Sequence, residues 1–206
     1  AWSGDGRRLS FAADDGHGGL VLRLLDRETL SIADVPGVTL APTGTVMAWS
    51  HDGSALAFTR PAAAGNEAWS YRTLAAQGSG LTRLGPIETR ALCWSSDGAT
   101  IFSAGIAPGS EQPLLERALG QPLDGQPTGF STIRGTQPGD SQPTAPTFDR
   151  RLAFVRQAAG MPQLWIMNND GTGISQLTFP TYDNDARLPA FGIDQPRWSP
   201  GSGGGG

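Results

Sequence analysis

Trp49-Ser50-His51-Asp52-Gly53 is the phrase that decides the architecture, because it recurs. Trp2-Ser3-Gly4-Asp5-Gly6 and Trp94-Ser95-Ser96-Asp97-Gly98 are near copies, and Trp198-Ser199-Pro200-Gly201 begins another. A degenerate copy stands at Ala145-Pro146-Thr147-Phe148-Asp149, found by the strand that follows it. The starts fall at 2, 49, 94, 145 and 198, which are 47, 45, 51 and 53 residues apart.

Such a period predicts an all-β chain folded as a β-propeller, with one four-stranded antiparallel blade per period. Four full repeats and the start of a fifth are present, and a portion of a larger ring is expected. A broken ring leaves open sheet edges, which further blades or another copy would cover. The propeller is assigned to residues 1–199. Residues 200–206 are Gly/Ser-rich, a flexible tail outside the fold.

The local pattern supports this reading. Apolar strands precede the phrase at Val46–Trp49 and Ala91–Trp94. The Asp-Gly pair predicts a type I′ hairpin turn. Alternating Leu-x-Phe follows at Leu9/Phe11, Leu56/Phe58 and Leu152/Phe154. The third copy departs, with Ile101 and Phe102 adjacent and Ser103 in the Phe place, so a bulge or a less buried face is expected there. Later strands are predicted at Leu20–Leu25, Thr29–Ile32, Ala68–Leu74, Leu81–Leu84, Pro113–Leu119, Thr128–Ile133, Gln163–Met167 and Ile174–Thr178.

The phrase, the Leu-x-Phe strand and the run Leu164-Trp165-Ile166-Met167-Asn168-Asn169-Asp170-Gly171-Thr172-Gly173-Ile174-Ser175-Gln176-Leu177-Thr178 together resemble the TolB-type, WD-like propeller repeat. That resemblance implies six or more blades. It also implies one of three settings: a periplasmic translocation protein, a sensor ectodomain, or the propeller of a prolyl-oligopeptidase-like hydrolase. A periplasmic or extracellular location in a bacterium follows from the first two, with the cytoplasm as the alternative.

Composition narrows the classes. The net charge is −4 and all fifteen cationic residues are Arg, scattered among the strands. No basic footprint for nucleic acid is present. No apolar run has the length of a membrane span. The single Cys93 precedes Trp94 in a strand and is expected to be a buried apolar residue rather than a reactive thiol. The sequence holds no Gly-x-Ser-x-Gly elbow, no Cys/His cluster and two His residues. No catalytic residue, cofactor or metal is therefore assigned.

Binding is expected on the propeller face formed by loops between the second and third strands and between blades. These loops include Ala12–Gly19, Arg60–Glu67, Asp34–Gly44 and Phe179–Asp194. Asp14, Asp15 and His17 would suit a metal or acid–base role, with a solvated turn as the competing reading. Tyr182, Asp183 and Asp185 resemble the opening of a calcium loop but lack its later Gly and Glu, which favours a turn. Glu67 and Glu111 add carboxylates to the same rim, and His51 is expected to be exposed on the opposite face. The reading is a non-catalytic binding or scaffold module presenting loops to a protein or peptide. The alternative is the propeller of a hydrolase whose catalytic domain lies outside this sequence.

Overall fold

A computed structural model describes residues 1–63, 65–72, 80–87, 89, 91–104, 114–118, 130–158 and 160–179. Its strands form four separate antiparallel sheets, each built from consecutive segments. The first contains β1 (Arg8–Asp14), β2 (Leu20–Asp26) and β3 (Ile32–Leu40), with a bridge from Trp2 to Leu9 standing for its inner strand. The second contains β4 (Met47–Trp49), β5 (Ala55–Ala62), β6 (Gly65–Arg72) and β7 (Leu81–Pro86). The third contains β8 (Ala91–Trp94), β9 (Thr100–Ala104), β10 (Leu115–Ala118) and β11 (Ser131–Thr132). The fourth contains β12 (Ser141–Thr144), β13 (Arg151–Ala158), β14 (Met161–Asn168) and β15 (Ser175–Gln176). The first strands approach one another from blade to blade, β4 on β8 and β8 on β12.

Register repeats with the sequence. Trp2 pairs with Leu9, Trp49 with Leu56 and Trp94 with Ile101. Phe58 pairs with Trp69, and Phe154 with Trp165. The predicted repeat core is buried throughout: Trp49, Leu56, Phe58, Trp94, Leu152 and Phe154.

The blades stack face to face, and this explains the third repeat. Leu56 and Phe58 pack with Leu22, Val35, Val38 and Leu40 of the first blade. The opposite face of β5, Ala55 and Ala57, packs with Leu92, Trp94 and Ile101 of the third. Phe102 then joins Leu152 and Phe154 of the fourth. An inner blade thus buries both faces, so adjacent apolar residues satisfy opposite neighbours. The bulge expected at Ile101-Phe102-Ser103 is absent: β9 pairs in register on both sides, and all three residues are fully buried.

Two further expectations are corrected. The Asp-Gly pair is not the centre of a type I′ turn. Only Gly has positive φ in these hairpins (Gly6 68°, Gly53 68°, Gly98 66°), whereas a type I′ turn needs it at both central residues. Gly6 N–H donates to the Ser3 carbonyl, Gly53 to Ser50 and Gly98 to Ser95, so Ser opens a four-residue turn and Gly closes it. In the first blade the predicted strand Thr29–Ile32 falls mostly in a turn held by Asp26, whose Oδ1 accepts the Glu28 and Thr29 N–H groups. β3 instead occupies much of the predicted loop Asp34–Gly44. Its Val35, Val38 and Leu40 are drawn into strand by burial against the second blade.

The Ser and Asp of the phrase form a clasp. The Ser hydroxyl donates to Asp Oδ1 in each copy: Ser3 to Asp5 at 2.5 Å, Ser50 to Asp52 at 2.7 Å, Ser95 to Asp97 at 2.6 Å. It also accepts the N–H of the first residue of the returning strand, Arg8, Ala55 or Thr100, at 2.9 Å. The motif is therefore hairpin architecture. The degenerate copy places Pro146 where the Ser would stand and loses this clasp.

Candidate functional site

Asp14 ends β1 and Leu20 begins β2, so Asp15–Gly19 is the loop joining them. Local hydrogen bonds set its shape. Asp14 Oδ1 accepts the Gly16 N–H at 2.6 Å, and Asp15 Oδ1 accepts those of His17 at 2.7 Å and Gly19 at 3.0 Å. The Asp15 carboxyl lies below its ordinary range because the His17 and Gly19 N–H groups stabilise the anion. Gly16 and Gly18 take positive φ, and a side chain at Gly19 would collide with the Asp15 carboxylate. The loop is exposed.

Beside it lies an open cleft of about 490 Å³ between the first two blades. Phe11, Ala12, Leu20 and Met47 give it apolar walls, and Pro42–Thr45 of the inter-blade connection closes one side. Thr45 Oγ donates to the Ala41 carbonyl at 3.1 Å, and Val46 N–H to Thr59 Oγ at 2.9 Å, which fix that connection.

Glu67 does not contribute a free carboxylate. It is buried in β6 and accepts hydrogen bonds from Arg83 Nε at 2.7 Å, Trp69 Nε1 at 2.7 Å and Arg60 Nε at 3.1 Å. Burial acts to raise its pKa, but these donors outweigh it and hold the group below its ordinary value. Arg60 lies 4.0 Å over the Trp69 ring and donates to the Gly37 carbonyl of the first blade at 3.3 Å. The fourth blade repeats this arrangement. Arg156 lies over Trp165, donates to the Gly135 carbonyl at 3.1 Å, and makes a two-point pair with buried Asp140 at 2.7 and 2.6 Å. Both Arg residues stand eleven positions after their repeat starts, 49 and 145. Aligning the repeats would have exposed this stitch.

The structure therefore brings Asp14, Asp15 and His17 into one loop and puts Glu67 in an ion-paired network. Glu111, Tyr182, Asp183 and Asp185 lie outside the described residues. Among the described residues, no three His, Cys, Asp or Glu side chains form a group able to hold a metal ion. No helix among them is long and apolar enough to cross a membrane. His51, expected to be exposed, is half-buried with its Nε2 enclosed and unpartnered, and its ring meets the Trp94 backbone of the third blade. A side chain at Gly4 would strike the His51 carbonyl. Cys93 packs against the cluster shared by blades three and four, and burial pushes its thiol pKa up, away from reactivity.

The same stack of sheets occurs in solved structures. TolB from Acinetobacter baumannii superposes with a TM-score of 0.60 at 15% identity, over 86% of this chain and 42% of that one. The fold is that of a TolB-type β-propeller. A protein assigned as TolB from Agrobacterium tumefaciens gives a TM-score of 0.60 at 19% identity, over 85% of this chain and 62% of that one. A prolyl endopeptidase structure also matches, with a TM-score of 0.60 at 14% identity, over 88% of this chain and 28% of that one. The chain thus spans less than two thirds of these TolB structures, and the fold also matches part of an enzyme. No protein-family model matches the sequence, and no curated protein matches it.

Proposed function

We propose that this chain is a non-catalytic binding or scaffold module that presents loops to a protein or peptide partner, in the periplasm or outside the cell. The observation that carries the reading is the preformed Asp14–Gly19 loop beside the cleft. Its backbone is fixed by its own carboxylates, so a partner meets a loop already shaped, with less ordering entropy to overcome. Ser50, Asp52, Glu67 and Asp140, by contrast, are occupied by a hairpin clasp and by ion pairs within their own blades. Asp14, Asp15 and His17 form the proposed recognition edge, with Glu111, Tyr182, Asp183 and Asp185 as further rim positions. Its charge suits a cationic peptide with an apolar side chain for the cleft.

Calorimetry with a short Arg- and Leu-containing peptide tests this. Binding should weaken as salt rises from about 50 to 500 mM and should fall in an Asp14→Asn, Asp15→Asn double variant. Absence of heat across peptides of both charge signs would remove the reading. The likeness to a prolyl endopeptidase supports a second reading, the propeller of a larger hydrolase. A Gly-x-Ser-x-Gly segment elsewhere in the same gene would favour it.

A further inference from the structure

Two arginines share one carboxylate in the second blade, and their charges do not balance. Strand pairing sets Arg60 of β5 opposite Glu67 of β6, and Arg83 of β7 opposite Trp69 of β6. Glu67 and Trp69 are two residues apart on one strand, so all four side chains share a face. Glu67 Oε1 accepts from Arg60 Nε at 3.1 Å, and Oε2 accepts from Arg83 Nε at 2.7 Å. Two guanidinium groups against one carboxylate leave a single positive charge over. Donors remain as well. Arg60 Nη1 donates to the Gly37 carbonyl, but among the described residues its Nη2 and both Nη atoms of Arg83 have no hydrogen-bond partner. These donors reach solvent, since the Arg83 and Arg60 side chains are 48% and 25% exposed.

The fourth blade shows what the stitch alone requires. Arg156 takes the place of Arg60 and meets one carboxylate, Asp140, at two points, so the pair is neutral. The Arg156 side chain is only 11% exposed. Gln163 stands opposite Arg156 in the Glu67 place, and Gln176 stands opposite Trp165 in the Arg83 place. The stitch therefore forms without a second arginine, and Arg83 adds a charge that it does not need. We infer that Arg60 and Arg83 form a carboxylate-binding site at the loop end of the second blade, with Glu67 as the residue that orients them. The planar guanidinium fork matches the two oxygens of a carboxylate, and one excess charge fits a monoanion. Glu67 and the Trp69 ring, 4.0 Å under Arg60, fix the guanidinium groups before a ligand arrives, so little ordering entropy opposes binding. The carboxylate comes from a small organic acid or from an acidic residue of a peptide. The site shares no residue with the Asp14–Gly19 loop and takes the opposite charge.

Proton–nitrogen NMR of the full chain reads the site through the Nε–H groups of Arg60 and Arg83 and the Trp69 indole. Sodium acetate replaces sodium chloride at constant ionic strength, which keeps general screening fixed. Saturable shifts are expected at these three groups, with the Trp94 indole unmoved. Arg83→Gln should weaken acetate binding about tenfold, as loss of one charge-assisted contact does. An unchanged Trp94 indole resonance in the variant shows that it keeps the fold. A capped peptide holding one glutamate is titrated in parallel. Tighter binding of the peptide than of acetate assigns the carboxylate to a peptide residue, and equal binding assigns it to a small acid. Shifts that do not saturate with either probe overturn the inference. So does a folded Arg83→Gln variant that binds as well as the parent. Cationic peptides at the Asp14–Gly19 loop are read separately, so either idea can fail alone.

Discussion

The Trp94 indole N–H donates to the Ala48 carbonyl at 2.8 Å, across the boundary between the second and third blades. Ala48 immediately precedes Trp49, whose own indole donates to the Ala1 carbonyl and to Ser10 Oγ, both at 3.0 Å. Each Trp therefore ties its blade to the residue before the previous Trp. Trp94→Phe should keep most of the apolar burial and remove the donor from a partly buried carbonyl. The expected loss is about 1–3 kcal/mol by denaturant unfolding. A variant as stable as the parent would show that water or another donor replaces the indole.

The indole tie shows what could be read beforehand and what could not. The period, the Trp positions and the Leu-x-Phe strands were visible because burial imposes side-chain alternation directly on sequence. The turn type was not, since Asp-Gly serves two hairpin geometries. The Ser two residues before the Asp selects the observed one by clasping it. Ile101-Phe102 looked irregular because alternation was judged against one buried face, while a blade between two others has two. Glu67 looked like a rim carboxylate because its partners Arg60 and Arg83 come from neighbouring strands. The indole-to-carbonyl partner choice left no mark, because a backbone acceptor has no residue identity.

The three clasps make acid stability predictable in sign. Asp5, Asp52 and Asp97 lie below the ordinary aspartate value, first because Ser3, Ser50 and Ser95 donate to them. A depressed folded pKa means the unfolded chain binds protons first. Stability is then fully present above the unfolded value of about 4 and is lost as pH falls through the lower folded values. Ser50→Ala should lower stability at neutral pH and flatten part of the acid limb. Thermal melts of parent and variant between about pH 2.5 and 6 check this. Parallel curves would dissociate the clasp from acid sensitivity.

His51 adds a second window. Burial lowers its pKa below the ordinary value of 6.5 and outweighs the Trp94 backbone and the Asp52 carboxylate, which favour the charged ring. The unfolded chain takes up this proton first, so stability should decline as pH drops below about 6.5 and level off under the folded value. His51→Asn removes the titrating group. Its stability should vary less than the parent's between about pH 5 and 7, measured by urea unfolding at each pH.

Asp140 and Arg156 test the fourth blade, which lacks both the Trp and the clasp. The Asp140 side chain is fully enclosed and meets Arg156 at two points. Removing one partner leaves the other charge poorly solvated. Asp140→Ala should therefore cost about 3–5 kcal/mol. Arg83→Ala, at the exposed side of the Glu67 network, should cost about 1 kcal/mol or less. Equal losses in chemical denaturation would mean that burial does not separate the two pairs.

Phe58 and Phe11 occupy one repeat position in two environments, so their comparison isolates the neighbouring blade. Phe58 is fully buried against the first blade, and Phe58→Ala should cost about 3–5 kcal/mol through lost burial and the cavity left behind. Phe11 borders the open cleft beside the Asp14–Gly19 loop and is only partly buried. In dilute solution Phe11→Ala should cost a fraction of that, because the removed ring already borders solvent and leaves no closed cavity. Urea unfolding of both variants gives the comparison. A Phe11→Ala loss as large as that of Phe58→Ala would mean that its ring is covered in solution.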